Sequence, residues 1–129
     1  MPFQFDTARP LYIQLAELLT RRIAAGDWPP GARLPSVREL AADMGVNPNT
    51  MQRALAELER AGLVHAERTA GRFVTEDAGC IAATRTRLAA AHVRAFAAEM
   101  AALGYTRAEL LAALTELPDP IQPEEEPHG

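Results

Sequence analysis

Four residues near the middle of the chain, Asn49, Thr50, Gln52 and Arg53, carry side chains suited to reading another molecule through hydrogen bonds. An amide offers a donor beside an acceptor, a guanidinium offers a fork of donors, and a hydroxyl offers either. Amide forks fit the edge of adenine, and guanidinium forks fit guanine or a phosphate. If the segment is helical, the four point away from an apolar face made by Met51, Leu55 and Leu58. The next acid is Glu57, so nothing in the first two turns repels a phosphate. A second cationic group follows at Arg68-Thr69-Ala70-Gly71-Arg72. There a small-residue tip lies between two arginines, a shape suited to a minor groove or a sugar–phosphate rail.

Other chemistries find less support. Cys80 is the one cysteine, which excludes an internal disulfide and a multi-Cys metal site. His65, His92 and His128 lack ligand spacing, so no metal and no cofactor is expected. There is no phosphate loop, no nucleophile elbow and no clustered acid–base pair, and an enzyme is not expected. His65 reads as a strand residue, His92 as a helix or interface residue, and Trp28 as a structural plug.

With 129 residues the chain has room for one domain, or one small domain and an appendage. A Rossmann sheet or a (β/α)₈ barrel does not fit. All 13 basic residues are Arg, and with the abundant Ala they favour helices. The formal net charge is −4, but the surplus of acids over arginines lies mainly in the last third, which ends in Glu124, Glu125 and Glu126. Net charge does not exclude a nucleic-acid partner, because DNA responds to the field of one face. No apolar stretch approaches the roughly 20 residues that span a bilayer, so no membrane association is expected. The first ten residues lack the pattern of a signal peptide, and the cytoplasm is the default location.

The elements that must position these groups follow from local signals. Residues 1–9 read as a flexible lead. From Pro10 the residues Leu11, Leu15, Leu18, Leu19 and Ile23 recur at helical spacing until Gly26. Asp27 to Gly31 form a turn cluster. Ser36-Val37-Arg38-Glu39 fits a capping box and opens a second helix, with Val37, Leu40, Ala41 and Met44 inward. Gly45 stops it, and Asn47 with Pro48 opens a third helix that runs to Ala61. Two short helices across a turn of Gly45 to Asn47 have helix-turn-helix spacing. Leu63–Ala66 and Arg72–Thr75 then predict a hairpin. Helix, helix-turn-helix and hairpin in this order make a winged helix-turn-helix. Its third helix can enter a major groove about 12 Å wide.

A long Ala-rich helix is predicted from about Cys80 to Leu103, with Val93, Phe96, Met100 and Leu103 as its stripe. After Gly104, Thr106-Arg107-Ala108-Glu109 is a second capping box, opening a helix with Leu110, Leu111 and Leu114 that Pro118 ends. The fold class is therefore mainly α with a small β-hairpin. Residues 1–77 form the winged helix-turn-helix, 78–117 a two-helix segment, and 118–129 a disordered acidic tail. Two amphipathic helices cannot bury their own faces fully, so Val93, Phe96, Met100, Leu103, Leu110, Leu111 and Leu114 need a partner, and a dimer interface with a second copy is one reading. Core packing against the winged domain is the other reading of these residues.

The runs Pro10–Leu15, Gly31–Ala41, Val46–Leu55 and Glu57–Val64 resemble, in order and spacing, the GntR family of bacterial transcription regulators over about residues 9–75. The Val46-Asn47-Pro48-Asn49-Thr50 wording and the short two-helix tail resemble its YtrA-type subfamily. The resemblance implies that Arg38 is a DNA-contacting arginine, that Ser36 marks a phosphate-contacting helix start, and that Asn49, Thr50, Gln52 and Arg53 form the recognition face. It implies that Gly71 is the wing-tip glycine, flanked by Arg68, Thr69 and Arg72. Many family members carry Arg where this chain has Pro48 and Gln52, so a different operator is expected. The resemblance also implies a homodimer on an inverted-repeat operator. The expected function is a sequence-specific DNA-binding regulator, in the sense of a repressor, with double-stranded DNA as partner and a small-molecule effector of unknown identity. The alternative is a protein-interaction module on the same scaffold; separately, Arg38 and Arg53 also read as solvated helix residues pairing with Glu39, Glu57 or their neighbours.

Overall fold

The computed structural model describes residues 5–119. The elements run α1 (Leu11–Ala24), α2 (Val37–Met44), α3 (Pro48–Arg60), β1 (Val64–Glu67), β2 (Gly71–Val74), α4 (Ala78–Ala102) and α5 (Arg107–Glu116). This is the mainly helical architecture with one hairpin that the sequence predicts. Of the acidic tail expected at 118–129, residues 120–129 lie outside the described residues, as does His128.

Local chemistry sets the helix ends. In α1 the N–H groups of Asp27 and Gly26 bond to the carbonyls of Arg22 and Ile23, a Schellman closure. Gly45 closes α2 in the left-handed region, at φ 69°. The Ser36 Oγ accepts the Glu39 N–H at 3.1 Å, and the Asn47 side-chain Oδ1 accepts the Asn49 N–H at 2.8 Å. At Thr106 both halves of the capping box form.

The core of the first compact unit, which reaches Ala89, is built where these helices meet. Leu15, Leu19 and Ile23 of α1 pack with Leu40 and Met44 of α2 and with Met51, Ala54, Leu55 and Leu58 of α3. Leu63, Val64 and Val74 bring the hairpin onto the same core. Trp28, Val37 and Cys80 are half-buried against it. Burying each such Leu removes apolar surface from water and contributes about 1.5–3 kcal/mol.

The strands sit one residue away from their expected bounds, with Val64 opposite Val74 and Glu67 opposite Gly71. A third segment joins them. Arg33 bridges to Phe73, and the backbone groups of Gly31, Ala32 and Leu34 bond to Val74 and Arg72 at 2.9–3.0 Å.

One expectation is revised. Residues 5–9 are not a free lead: the buried Gln14 amide accepts the Asp6 N–H at 2.8 Å and donates to the Asp6 and Arg9 carbonyls at 2.6 and 2.9 Å. Phe5 packs on the core beside it. The first compact unit extends past residue 77, to Ala89 inside α4. The reason is that Cys80 and Ile81 pack on the winged core and Thr84 is buried.

The second unit begins at Ala90. It leaves Val93, Leu103, Leu111 and Leu117 more than half exposed. No residue of α5 is buried. No helix among the described residues is long and apolar enough to cross a membrane.

Candidate nucleic-acid interface

The geometry of the site starts at the turn between α2 and α3. Gly45 reverses the chain, Asn47 caps, and Pro48 supplies a preset φ at the first helical position. Met51, Ala54, Leu55 and Leu58 then point inward and lock the rotation of α3. The opposite face exposes Asn49, Gln52 and Arg53, continues through Ala56 to Arg60, and has Thr50 half-buried at its edge. The first acid after Asn49 is Glu57, which pairs with Arg60 at 3.1 Å. The outward face is thus polar, cationic and rigidly backed.

Ser36 and Arg38 are exposed at the start of α2. The Ser36 oxygen is engaged as a cap, and its hydroxyl proton remains available to donate.

In the wing, Arg68 and Thr69 are exposed at the tip, where the Ala70 N–H bonds to the Glu67 carbonyl at 3.2 Å. Gly71 has φ +104°, a conformation that side-chain-bearing residues rarely adopt. A Cβ there would stand 3.1 Å from Arg33 Nε, so Gly71 also makes room for that arginine. Arg72 differs from its neighbours. Its Nε donates to Glu59 Oε1 at 2.7 Å, with both side chains mostly buried, and this pins the hairpin to α3.

Arg33 is an exposed cation beside the wing glycine that the sequence reading passed over as part of a motif. A cation two residues from a proline gives no sign of which strand it will pair with. Tyr12 is a second omission. The Arg53 guanidinium carbon lies 4.0 Å from the centre of its ring.

Elsewhere, His65 stacks on Phe73 with ring centres 5.8 Å apart and lies 3.5 Å from Glu67. Among the described residues no group of three His, Cys, Asp or Glu side chains is placed to hold a metal. In the second unit, Val93, Phe96, Met100, Leu110, Leu111 and Leu114 line a cavity of about 550 Å³. Leu103, 73% exposed, is not part of its lining.

Known proteins share this architecture. A model of the bacterial regulatory proteins of the gntR family matches residues 11–74. The chain is 38% identical to the HTH-type transcriptional regulator YhcF of Bacillus subtilis over 86% of this chain and 92% of that protein. A GntR family transcriptional regulator from Listeria monocytogenes superposes with a TM-score of 0.80 at 34% identity, over 88% of this chain and 100% of that one. YtrA from Sulfolobus acidocaldarius, a GntR-family transcription factor, gives 0.54 at 31% identity over 73% and 94% of the two chains. The AraR DNA-binding domain, solved with its operator ORE1, gives 0.51 at 28% identity over 57% and 90%.

Proposed function

Because the chain belongs to the GntR family of bacterial regulatory proteins, we propose that it regulates transcription by binding operator DNA through α3, the start of α2 and the wing. The observation that carries this reading is the exposed face of α3. Asn49, Gln52 and Arg53 lie outward, acid-free, on a helix whose other side is fixed in the core. Such a helix fits a major groove and offers base-reading side chains. Ser36, Arg38, Arg68, Thr69 and Gly71 then flank the duplex, and Arg72 buttresses the wing through Glu59.

The YtrA-type resemblance and the exposed apolar stripe of α4 and α5 support a homodimer closed through residues 78–117. A two-fold dimer matches an inverted-repeat operator. Repression is the sense we propose, since B. subtilis YtrA is a transcriptional repressor and shares 39% identity over 72 residues. A cytoplasmic location follows from a DNA target. We assign no catalytic role. The interaction-module alternative is less well supported, because a protein-binding face is expected to expose aromatic anchors, and α3 exposes none.

The test is a gel-shift titration with the DNA upstream of the protein's own gene against a scrambled duplex. A discrete complex on the first alone supports the reading, and equal binding to both counts against it.

A further inference from the structure

Arg53 is a cation of the α3 face, and it has a partner from another element. Its guanidinium carbon stands 4.0 Å over the ring of Tyr12, the second residue of α1. Among the described residues no carboxylate pairs with Arg53. The other such stack in this unit is different. Arg22 lies 4.2 Å over Trp28, but Asp27 also holds its Nε at 3.4 Å. There a carboxylate answers the charge; at Arg53 only a ring face does.

The distinction matters chemically. Stacking uses the flat face of a guanidinium and leaves the in-plane N–H donors unspent. A free arginine also loses rotamer entropy when a ligand orders it, and a side chain already ordered loses less. Tyr12 itself is half-buried on α1, whose Leu15 and Leu19 share a core with Met51 and Leu55 of α3. The ring is therefore a fixed platform relative to the helix that carries Arg53.

We propose that Tyr12 is a positioning residue for operator recognition: it holds the Arg53 guanidinium by its face and leaves the donor fork free for the DNA. This rests on the DNA-binding reading above, and the experiment separates the two.

Affinity for an operator duplex, chosen by selection from random DNA, is measured by fluorescence anisotropy for the native chain, Tyr12→Phe, Tyr12→Leu, Arg53→Ala and the Tyr12→Leu/Arg53→Ala double variant. Tyr12→Leu binds weaker by roughly two- to fivefold for each Arg53 it releases. Tyr12→Phe, which keeps the ring, binds as the native chain does. The double variant binds no weaker than Arg53→Ala alone. In the free protein, ¹⁵N relaxation of the Arg53 Nε–H shows an ordered side chain in the native and Phe forms and a mobile one in the Leu form. Tyr12→Met replaces Tyr12→Leu if the latter does not fold. Native affinity in the Leu form, or an equal loss on top of Arg53→Ala, overturns the proposal. A native chain that binds no duplex overturns the DNA-binding reading beneath it.

Discussion

Glu59 of α3 holds the Nε of Arg72 of β2 at 2.7 Å, across the seam between α3 and the hairpin. The two side chains are 33% and 24% exposed, so the pair is neither a solvated surface contact nor a fully buried one. Its loss is expected to cost about 1–2 kcal/mol, between the values for surface and buried pairs. Glu59→Gln and Arg72→Ala therefore lower the urea midpoint by similar amounts. Arg72→Ala leaves operator affinity within about threefold once folded. A tenfold affinity loss with unchanged stability would make Arg72 a direct DNA contact.

Arg38 and Arg53 are exposed, and the proposed interface has each donate to bases or phosphates. Arg38→Ala and Arg53→Ala each weaken operator binding by roughly 1–3 kcal/mol if they read base edges. A contact to phosphate instead lowers affinity evenly across sequences and flattens the salt dependence by about one ion. Titrations on operator and scrambled duplexes distinguish these outcomes, and no change in either variant removes both from the site.

Gly71→Ala meets two obstacles. The backbone stands at φ +104°, and a Cβ would lie 3.1 Å from Arg33 Nε, so that side chain must shift by a few tenths of an ångström. The strain is expected to cost about 1–3 kcal/mol, visible as a lowered melting temperature. Displacing Arg33, an exposed cation beside Gly71, is also expected to weaken the proposed DNA binding. Arg33→Ala, which removes the cation without the strain, lowers affinity while leaving the melting temperature close to native.

The dimer proposed through α4 and α5 predicts a clear response to charge. Leu110→Glu with Leu114→Glu places two carboxylates on the apolar lining that these leucines share with Phe96 and Met100. Sedimentation is expected to show a monomer, with operator affinity reduced because the two half-sites are no longer bound together. A variant that sediments as a dimer contradicts the role given to these helices.

Much of this was readable along the chain because the signals are local. Ser36, Asn47 and Thr106 cap helices, and Gly45 sets the tight turn, through atoms within a few residues of each. The apolar period of α3 fixed which side chains face out. What escaped was contact between elements distant in sequence: the bridge from Arg33 to Phe73, the stack of Arg53 on Tyr12 and the pairing of Arg72 with Glu59. Gln14 escaped for another reason. A polar residue next to an apolar stripe reads as solvated, yet its amide is buried and saturated by the backbone of residues 6 and 9. The first turns of α4 carry too little apolar pattern to show that they belong with the winged core.

The outward face of α3, with Arg38 and the wing, is proposed to grip a duplex by both charge and base edges. The most direct measurement is equilibrium affinity for a selected site and for its scrambled counterpart across a salt series. The account predicts that affinity for both falls steeply, by roughly a hundredfold or more between 50 and 200 mM salt, while the selected site stays the tighter one throughout. Affinity that ignores salt, or that never separates the two duplexes, contradicts it.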